Sequence, residues 1–215
     1  MKLEAVLFDM DGVLLESEQY INKAGLEMFR EKGYNVHPDD FLEFTGMGEN
    51  RYLGGVAEKN GIPFDLEKDK ARTYEIYAGL VKNNINPLPG VLEFIDKCKA
   101  KDIKIAVATS ADRIKMEINL KEINLPLEIF DATVNGLEIE HKKPAPDIFL
   151  LAAKRLDVHP ANCLVVEDAV SGVKAGKSAG AKVLALTTTF SSKELAEADW
   201  ISSNLLTAPL EVLNW

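Results

Sequence analysis

Lys2-Leu-Glu-Ala-Val-Leu-Phe8, followed at once by Asp9-Met-Asp11-Gly12, is the stretch on which the reading of the fold turns. Val6, Leu7 and Phe8 give it strand character, and Asp11-Gly12 marks a turn at its end. The strand needs partners, and none follows for a long way. From about Glu18 to Arg30, Ile21, Leu26, Met28 and Phe29 recur at roughly helical spacing. Two more helical stretches lie near Asn50 to Lys59 and Leu66 to Val81, and no strand signal falls between residues 15 and 83. The segment from Asn84 to Gly90, punctuated by Pro87, Pro89 and Gly90, reads as a linker.

Beyond it the pattern alternates. Helices are predicted over 91–101, 112–122, 147–156 and 170–179. Between them come strands over Ile103 to Ala108, near Phe130 to Val134, over Cys163 to Val166 and over Val183 to Leu186, with a short last strand near Trp200. Such alternation argues for a parallel sheet covered on both faces. The expected fold is therefore α/β, a Rossmann-like parallel sheet core with a helical cap domain inserted after the first strand. The core is expected over residues 1–15 and 84–215, and the cap over 16–83, with hinges near Leu15 to Ser17 and Lys82 to Pro89.

Composition narrows the function. A net charge of −9 disfavours nucleic acid and anionic membranes as partners. No apolar run approaches the roughly 20 residues that span a bilayer. The apolar N-terminal stretch is interrupted by Glu4 and Asp9 and leads to no cleavage site of a signal peptide. Cys98 and Cys163 are too few and too isolated for a disulfide framework or a zinc site and are expected as buried free thiols. These features together lead to the expectation of a cytoplasmic monomer.

In a parallel sheet the site lies where the C-terminal strand ends meet. Four strand ends carry suggestive residues: Asp9 and Asp11, then Thr109-Ser110, then Lys142-Lys143-Pro144, then Glu167-Asp168. Each has a plain reading as a turn, a solvated loop or a helix N-terminal pair; four of them along one sheet edge point to a site. Asp9 and Asp11 stand two apart and project to one side of an extended segment. With Asp168 beside them they repel, and a hard divalent cation with oxygen ligands relieves that; magnesium is the expected cofactor. The cation and Lys143 then supply the positive charge that a phosphate ester requires within an acidic chain. Thr109 and nearby backbone N–H groups are candidate donors to phosphate oxygens.

The set Asp9-Met-Asp11-Gly12-Val13, Thr109-Ser110, Lys143-Pro144 and Glu167-Asp168 resembles the four motifs of the haloacid-dehalogenase-like superfamily. Lys143-Pro-Ala-Pro-Asp-Ile-Phe149 and Val165-Val-Glu-Asp-Ala-Val-Ser-Gly172 are similar to its β-phosphoglucomutase-like branch, and the resemblance spans the whole chain. It implies that Asp9 is a nucleophile forming an aspartyl-phosphate and Asp11 the general acid, then base. It implies magnesium held by Asp9, Asp168 and the backbone carbonyl of Asp11, with Glu167 in support. Thr109, Ser110 through its backbone, and Lys143 would hold the phosphate. The implied activity is hydrolysis of small phosphate esters, sugar phosphates first.

A hexose-phosphate mutase is the alternative, and a catalytically silent interaction protein a third reading. In the mutases of the branch a histidine after the first motif couples the acid to cap closure; Ile21 stands at that position here, which favours the hydrolase. The cap sets the substrate, and in Thr45-Gly46-Met47-Gly48-Glu49-Asn50-Arg51 the residues Gly46, Glu49 and Arg51 are candidates for that role. His37 and His159 read as loop residues; His141, beside Lys142, is a candidate for the site mouth. Ser171 to Ser178 (S-G-V-K-A-G-K-S) falls short of a phosphate-binding P-loop and reads as a small-residue helix packed on the sheet. Asp9 to Gly12 with Glu18 only half-fits a calcium loop.

Overall fold

The computed structural model describes residues 2–44 and 47–215. Among these residues six strands form one parallel sheet: β1 (Ala5–Phe8), β2 (Lys104–Ala108), β3 (Ala132–Val134), β4 (Cys163–Glu167), β5 (Lys182–Leu186) and β6 (Trp200–Ser202). Their order is β3-β2-β1-β4-β5-β6. The first strand thus sits in the middle, with Phe8 beside Val107 of β2 and Val166 of β4. Strand order reverses between β1 and β4, so the crevice that binds ligands in open α/β sheets opens at the end of β1.

The helices are α1 (Glu18–Glu31), α2 (Glu49–Lys59), α3 (Leu66–Val81), α4 (Val91–Ala100), α5 (Arg113–Glu122), α6 (Asp147–Arg155) and α7 (Val170–Ser178). The strands read as unbroken apolar runs because both faces are covered. Ala5, Leu7, Ala106 and Val165 pack on Phe149 of α6 and Val173 of α7. Val6, Phe8, Val107 and Val166 face the other way, onto Phe94 of α4 and Met116 and Leu120 of α5. Each fully buried side chain of this size stabilises the core by roughly 1.5–3 kcal/mol.

Between β1 and α4 the chain is helical. Helices α1 to α3 and a 3₁₀ segment, Pro38–Phe44, form a layer around Met28, Phe29, Phe41, Leu53 and Val56. The 3₁₀ segment has no counterpart in the sequence reading; Phe41 and Phe44 are buried at its inner side, where tertiary burial and not helical period sets the local backbone. The layer also contacts the sheet unit: Ile21 of α1 and Tyr74 and Tyr77 of α3 share an apolar cluster with Met116 and Leu120. The two crossing segments lie side by side, with Leu88 N donating to Leu14 O at 2.9 Å and the Tyr20 hydroxyl to Asn84 O at 2.9 Å. Cys98 and Cys163 are buried free thiols, and burial pushes both up to about 12. Among the described residues no helix is long and apolar enough to cross a membrane.

Candidate active site

Asp9 follows β1 directly, and its N–H donates to Val166 O at 3.0 Å, which holds it in line with the sheet. Its carboxylate is buried. Lys143 Nζ donates to Asp9 Oδ1 and, at 2.6 Å, to Glu167 Oε1. Glu167 in turn accepts from the backbone N–H groups of Asp168 and Ala169, at 2.9 and 3.0 Å, and so shapes the turn into α7. Gly172 makes this possible: a Cβ there would lie 1.8 Å from Glu167 Oε1. Gly172 of the P-loop look-alike thus makes room for a carboxylate, and Gly176 lets α7 pack on Val165 and Val183 of the sheet.

Asp168 is buried and accepts from the Thr189 hydroxyl. Its carboxylate lies over Gly12, where a Cβ would sit 2.0 Å from Asp168 Oδ2 and the backbone φ is +75°. Burial pushes Asp9 up to about 7, with Lys143 pulling down and Glu167 pushing up. Burial, then the charges of Glu167 and Asp9, push Asp168 up to about 8.

These groups test the expected magnesium site. Asp9, Glu167 and Asp168 converge on one ammonium, Lys143, so negative charge exceeds positive by two when all are ionised. Asp9 Oδ2 and Asp168 Oδ1 receive no hydrogen bond among the described residues. The donors are oxygens, as a hard cation prefers, and a divalent ion would balance the charge. No group of three His, Cys, Asp or Glu side chains suited to a metal occurs among the described residues. The Asp11 side chain is engaged elsewhere, and it is the resemblance that implies its backbone carbonyl as a third donor. The donor set fits magnesium with two carboxylates.

Asp11 is gripped at both oxygens. The Ser17 hydroxyl donates to Oδ1 and Lys115 Nζ donates to Oδ2 at 2.8 Å. Asn119 Nδ2 donates to Ser17 Oγ at 3.1 Å, and the Tyr77 hydroxyl donates to Asn119 Oδ1. Thr109, at the end of β2, is buried, and its Oγ1 accepts from Ala111 N at 3.1 Å, which leaves the hydroxyl proton free to donate. Asp9, Asp11, Ser17, Thr109, Lys115 and Asp168 border a cavity of about 890 Å³ between the sheet edge and the helical layer, with Ser110, Glu18, Asn22 and Tyr52 also on its wall.

Asp9, Asp11, Thr109, Ser110, Lys143, Glu167 and Asp168 are thus brought to one cavity, and Glu49 joins them from the first turn of α2. Gly46 lies outside the described residues. Arg51 is not brought there: its guanidinium pairs with Glu58 at 2.7 Å and lies over the Phe44 ring, on the outer face of α2. Two helical positions separate it from Glu49, which turns the side chains roughly 200° apart. Replacing Arg51 by alanine is expected to change kcat/KM for sugar phosphates by less than about twofold, as for an exposed ion pair, with initial rates on two sugar phosphates as the check. His141 points to Asp147 at 3.0 Å with its ring mostly exposed, and Lys142 donates to Gly136 O.

Lys115, Ser17, Asn119, Tyr77 and Thr189 escaped the sequence reading. A signal existed for two of them: Lys115 and Asn119 share a face of α5 with the buried Met116 and Leu120.

A family model described as haloacid dehalogenase-like hydrolase matches residues 6–186. Over 200 residues the chain is 46% identical to Protein SUPPRESSOR OF QUENCHING 1, chloroplastic, of Arabidopsis thaliana, covering 92% of this chain but spanning only 19% of that protein. It is 34% identical to the Phosphorylated carbohydrates phosphatase of Thermotoga maritima, with 99% and 97% of the two chains covered. The crystal structure of CbbY from Rhodobacter sphaeroides with phosphate superposes with a TM-score of 0.86 at 28% identity, covering 95% and 96% of the chains. With the four strand-end motifs gathered at one crevice and the match running from β1 to the end of β5, the chain belongs to the haloacid dehalogenase-like hydrolases.

Proposed function

We propose that this protein is a magnesium-dependent phosphatase that hydrolyses small phosphorylated carbohydrates through phospho-Asp9. One observation carries the reading: Asp9 presents to the cavity a carboxylate oxygen that receives no hydrogen bond among the described residues while Lys143 holds the other, and Asp11 stands beside it with both oxygens oriented. Relatives named as phosphatases of phosphorylated carbohydrates support the same chemistry.

The steps follow from these groups. Thr109, Ser110 and the remaining N–H of Lys143 bind the phosphoryl oxygens. Bound magnesium, held by Asp9, Asp168 and the Asp11 carbonyl, would supply Lewis-acid neutralisation of the phosphoryl charge. The Asp9 carboxylate attacks phosphorus in line with the leaving oxygen, and the Asp11 carboxylic acid gives that oxygen its proton. Asp11, now a carboxylate, takes a proton from water, whose oxygen attacks phospho-Asp9 and releases inorganic phosphate with Asp9 regenerated. Residues 16–83 act as a cap that shields these steps from bulk water.

A panel of sugar phosphates, assayed for free phosphate, tests the proposal. Chelation with EDTA is expected to lower release at least about 100-fold, and added magnesium to restore it. The mutase alternative shares phospho-Asp9 and differs in what attacks it. Incubation with β-glucose 1-phosphate, magnesium and a trace of glucose 1,6-bisphosphate is expected to yield mainly free phosphate. Rapid formation of glucose 6-phosphate with little free phosphate would make the protein a mutase.

A further inference from the structure

Lys115 is a buried cation that the steps above leave unused. Its side chain is 6% exposed. Its Nζ donates to Asp11 Oδ2 at 2.8 Å and lies 3.9 Å from Glu49 Oε1. The three residues come from three places: Asp11 from the turn after β1, Lys115 from α5 of the sheet unit, and Glu49 from α2 of the helical layer. Glu49 is itself buried, and its Oε2 accepts from Asp112 N at 3.1 Å. A second tie joins the same parts, with Lys70 of α3 reaching Asp112 at 2.7 Å.

A lone lysine in such a place would lose its charge, because desolvation penalises the ammonium. Here the Asp11 carboxylate meets the Lys115 ammonium at 2.8 Å and the Glu49 carboxylate lies 3.9 Å from it. Compensation therefore needs one carboxylate from each side of the cavity. The geometric consequence falls on Asp11. Ser17 occupies one lone pair of Oδ1 and Lys115 one lone pair of Oδ2, so the carboxyl plane is fixed and the leaving oxygen can be met only at the remaining position of either oxygen. A general acid works only when its proton lies within hydrogen-bond reach of that oxygen.

We propose that Lys115 is a positioning residue for Asp11, and that Glu49 of the helical layer completes its charge balance, so that Asp11 is aligned when that layer is seated on the sheet unit. The proposal rests on the phosphatase reading and on Asp11 as its acid. It predicts a leaving-group signature. Alkyl esters need a proton on departure and activated aryl esters hardly do.

The test compares the best sugar phosphate of the panel with p-nitrophenyl phosphate. Lys115→Met is expected to lower kcat on the sugar phosphate about 50-fold, and on the aryl ester less than about fivefold, with KM changed less than about threefold. In an Asp11→Asn background the same substitution should cost less than about twofold, because its target is already gone. Glu49→Gln should lower sugar-phosphate turnover about fivefold and add nothing to Lys115→Met. Lys115→Arg should recover part of the loss. If Lys115→Met does not fold, as judged by its melting curve, Lys115→Gln carries the same comparison. Equal losses on both esters, or an undiminished loss in the Asp11→Asn background, would reduce Lys115 to a packing role and overturn the proposal. Should the wild type release phosphate from neither ester with magnesium present, the phosphatase reading itself falls, and this inference with it.

Discussion

Replacing Asp9 by asparagine is expected to lower phosphate release by at least about 10⁴-fold, the scale seen when a covalent nucleophile is removed. An amide oxygen is neutral and a poor nucleophile, and no other carboxylate has the same access. The Glu167 oxygens are committed to Lys143 and two backbone N–H groups, and Asp168 holds Thr189 with Oδ2 while its Oδ1 is the proposed donor to the cation. The fold should survive, because the change removes charge from a crowded site. Asp9 is raised from 3.8 to about 7 by burial, opposed by Lys143 and reinforced by Glu167. The folded value lies above the unfolded one. Its contribution to stability is therefore fully present below about pH 4 and is lost as pH rises through about 7. Metal-free wild type should lose melting temperature across that window, and the asparagine variant should lose less of it. At pH 8 in EDTA the variant is expected to melt higher by about 5 °C. Magnesium should raise the wild-type melting temperature by stabilising the folded state, and should do so less for Asp168→Asn. A variant that retains a tenth of wild-type turnover would refute nucleophilic attack by Asp9.

Asparagine at position 11 should cost sugar-phosphate turnover roughly 10²–10⁴-fold, the range for a lost general acid–base. The amide oxygen can still accept from Lys115 Nζ, and the NH2, a donor only, can face Ser17 if that hydroxyl turns to accept. What it lacks is an acidic proton for the leaving alkoxide and a basic site for the attacking water. The loss on p-nitrophenyl phosphate should be smaller by at least about tenfold, since its phenolate leaves without help. A burst of p-nitrophenol followed by slow turnover would show phospho-Asp9 accumulating as its hydrolysis slows. Losses of the same size on both esters would confine Asp11 to its backbone carbonyl and remove it from proton transfer.

The residues gathered at the sheet edge were legible in the chain because strand ends in a parallel sheet are places where local and tertiary signals coincide. The apolar runs of β1, β2 and β4 announce burial, and a charged or hydroxyl residue immediately after such a run, as at Asp9, Thr109 and Asp168, has only the sheet edge to occupy. The helices of the layer after β1 were legible for a similar reason, since α1 to α3 carry their apolar residues at local spacing. Position 49 was a candidate through its neighbouring glycines, and position 51 through its charge. The chain alone does not say which of two residues, two apart on a helix, faces inward.

That choice belongs to packing. Arg51 finds Glu58 and the Phe44 ring on the outside, whereas Glu49 is drawn inward to Asp112 N and Lys115. Lys115 lies on the buried face of α5, and the carboxylates that meet it lie 104 residues away at Asp11 and across the cavity at Glu49. Local sequence establishes what a residue can donate or accept. Whether a buried charge is tolerated depends on counter-charges that arrive from distant segments, and only the folded chain brings those together.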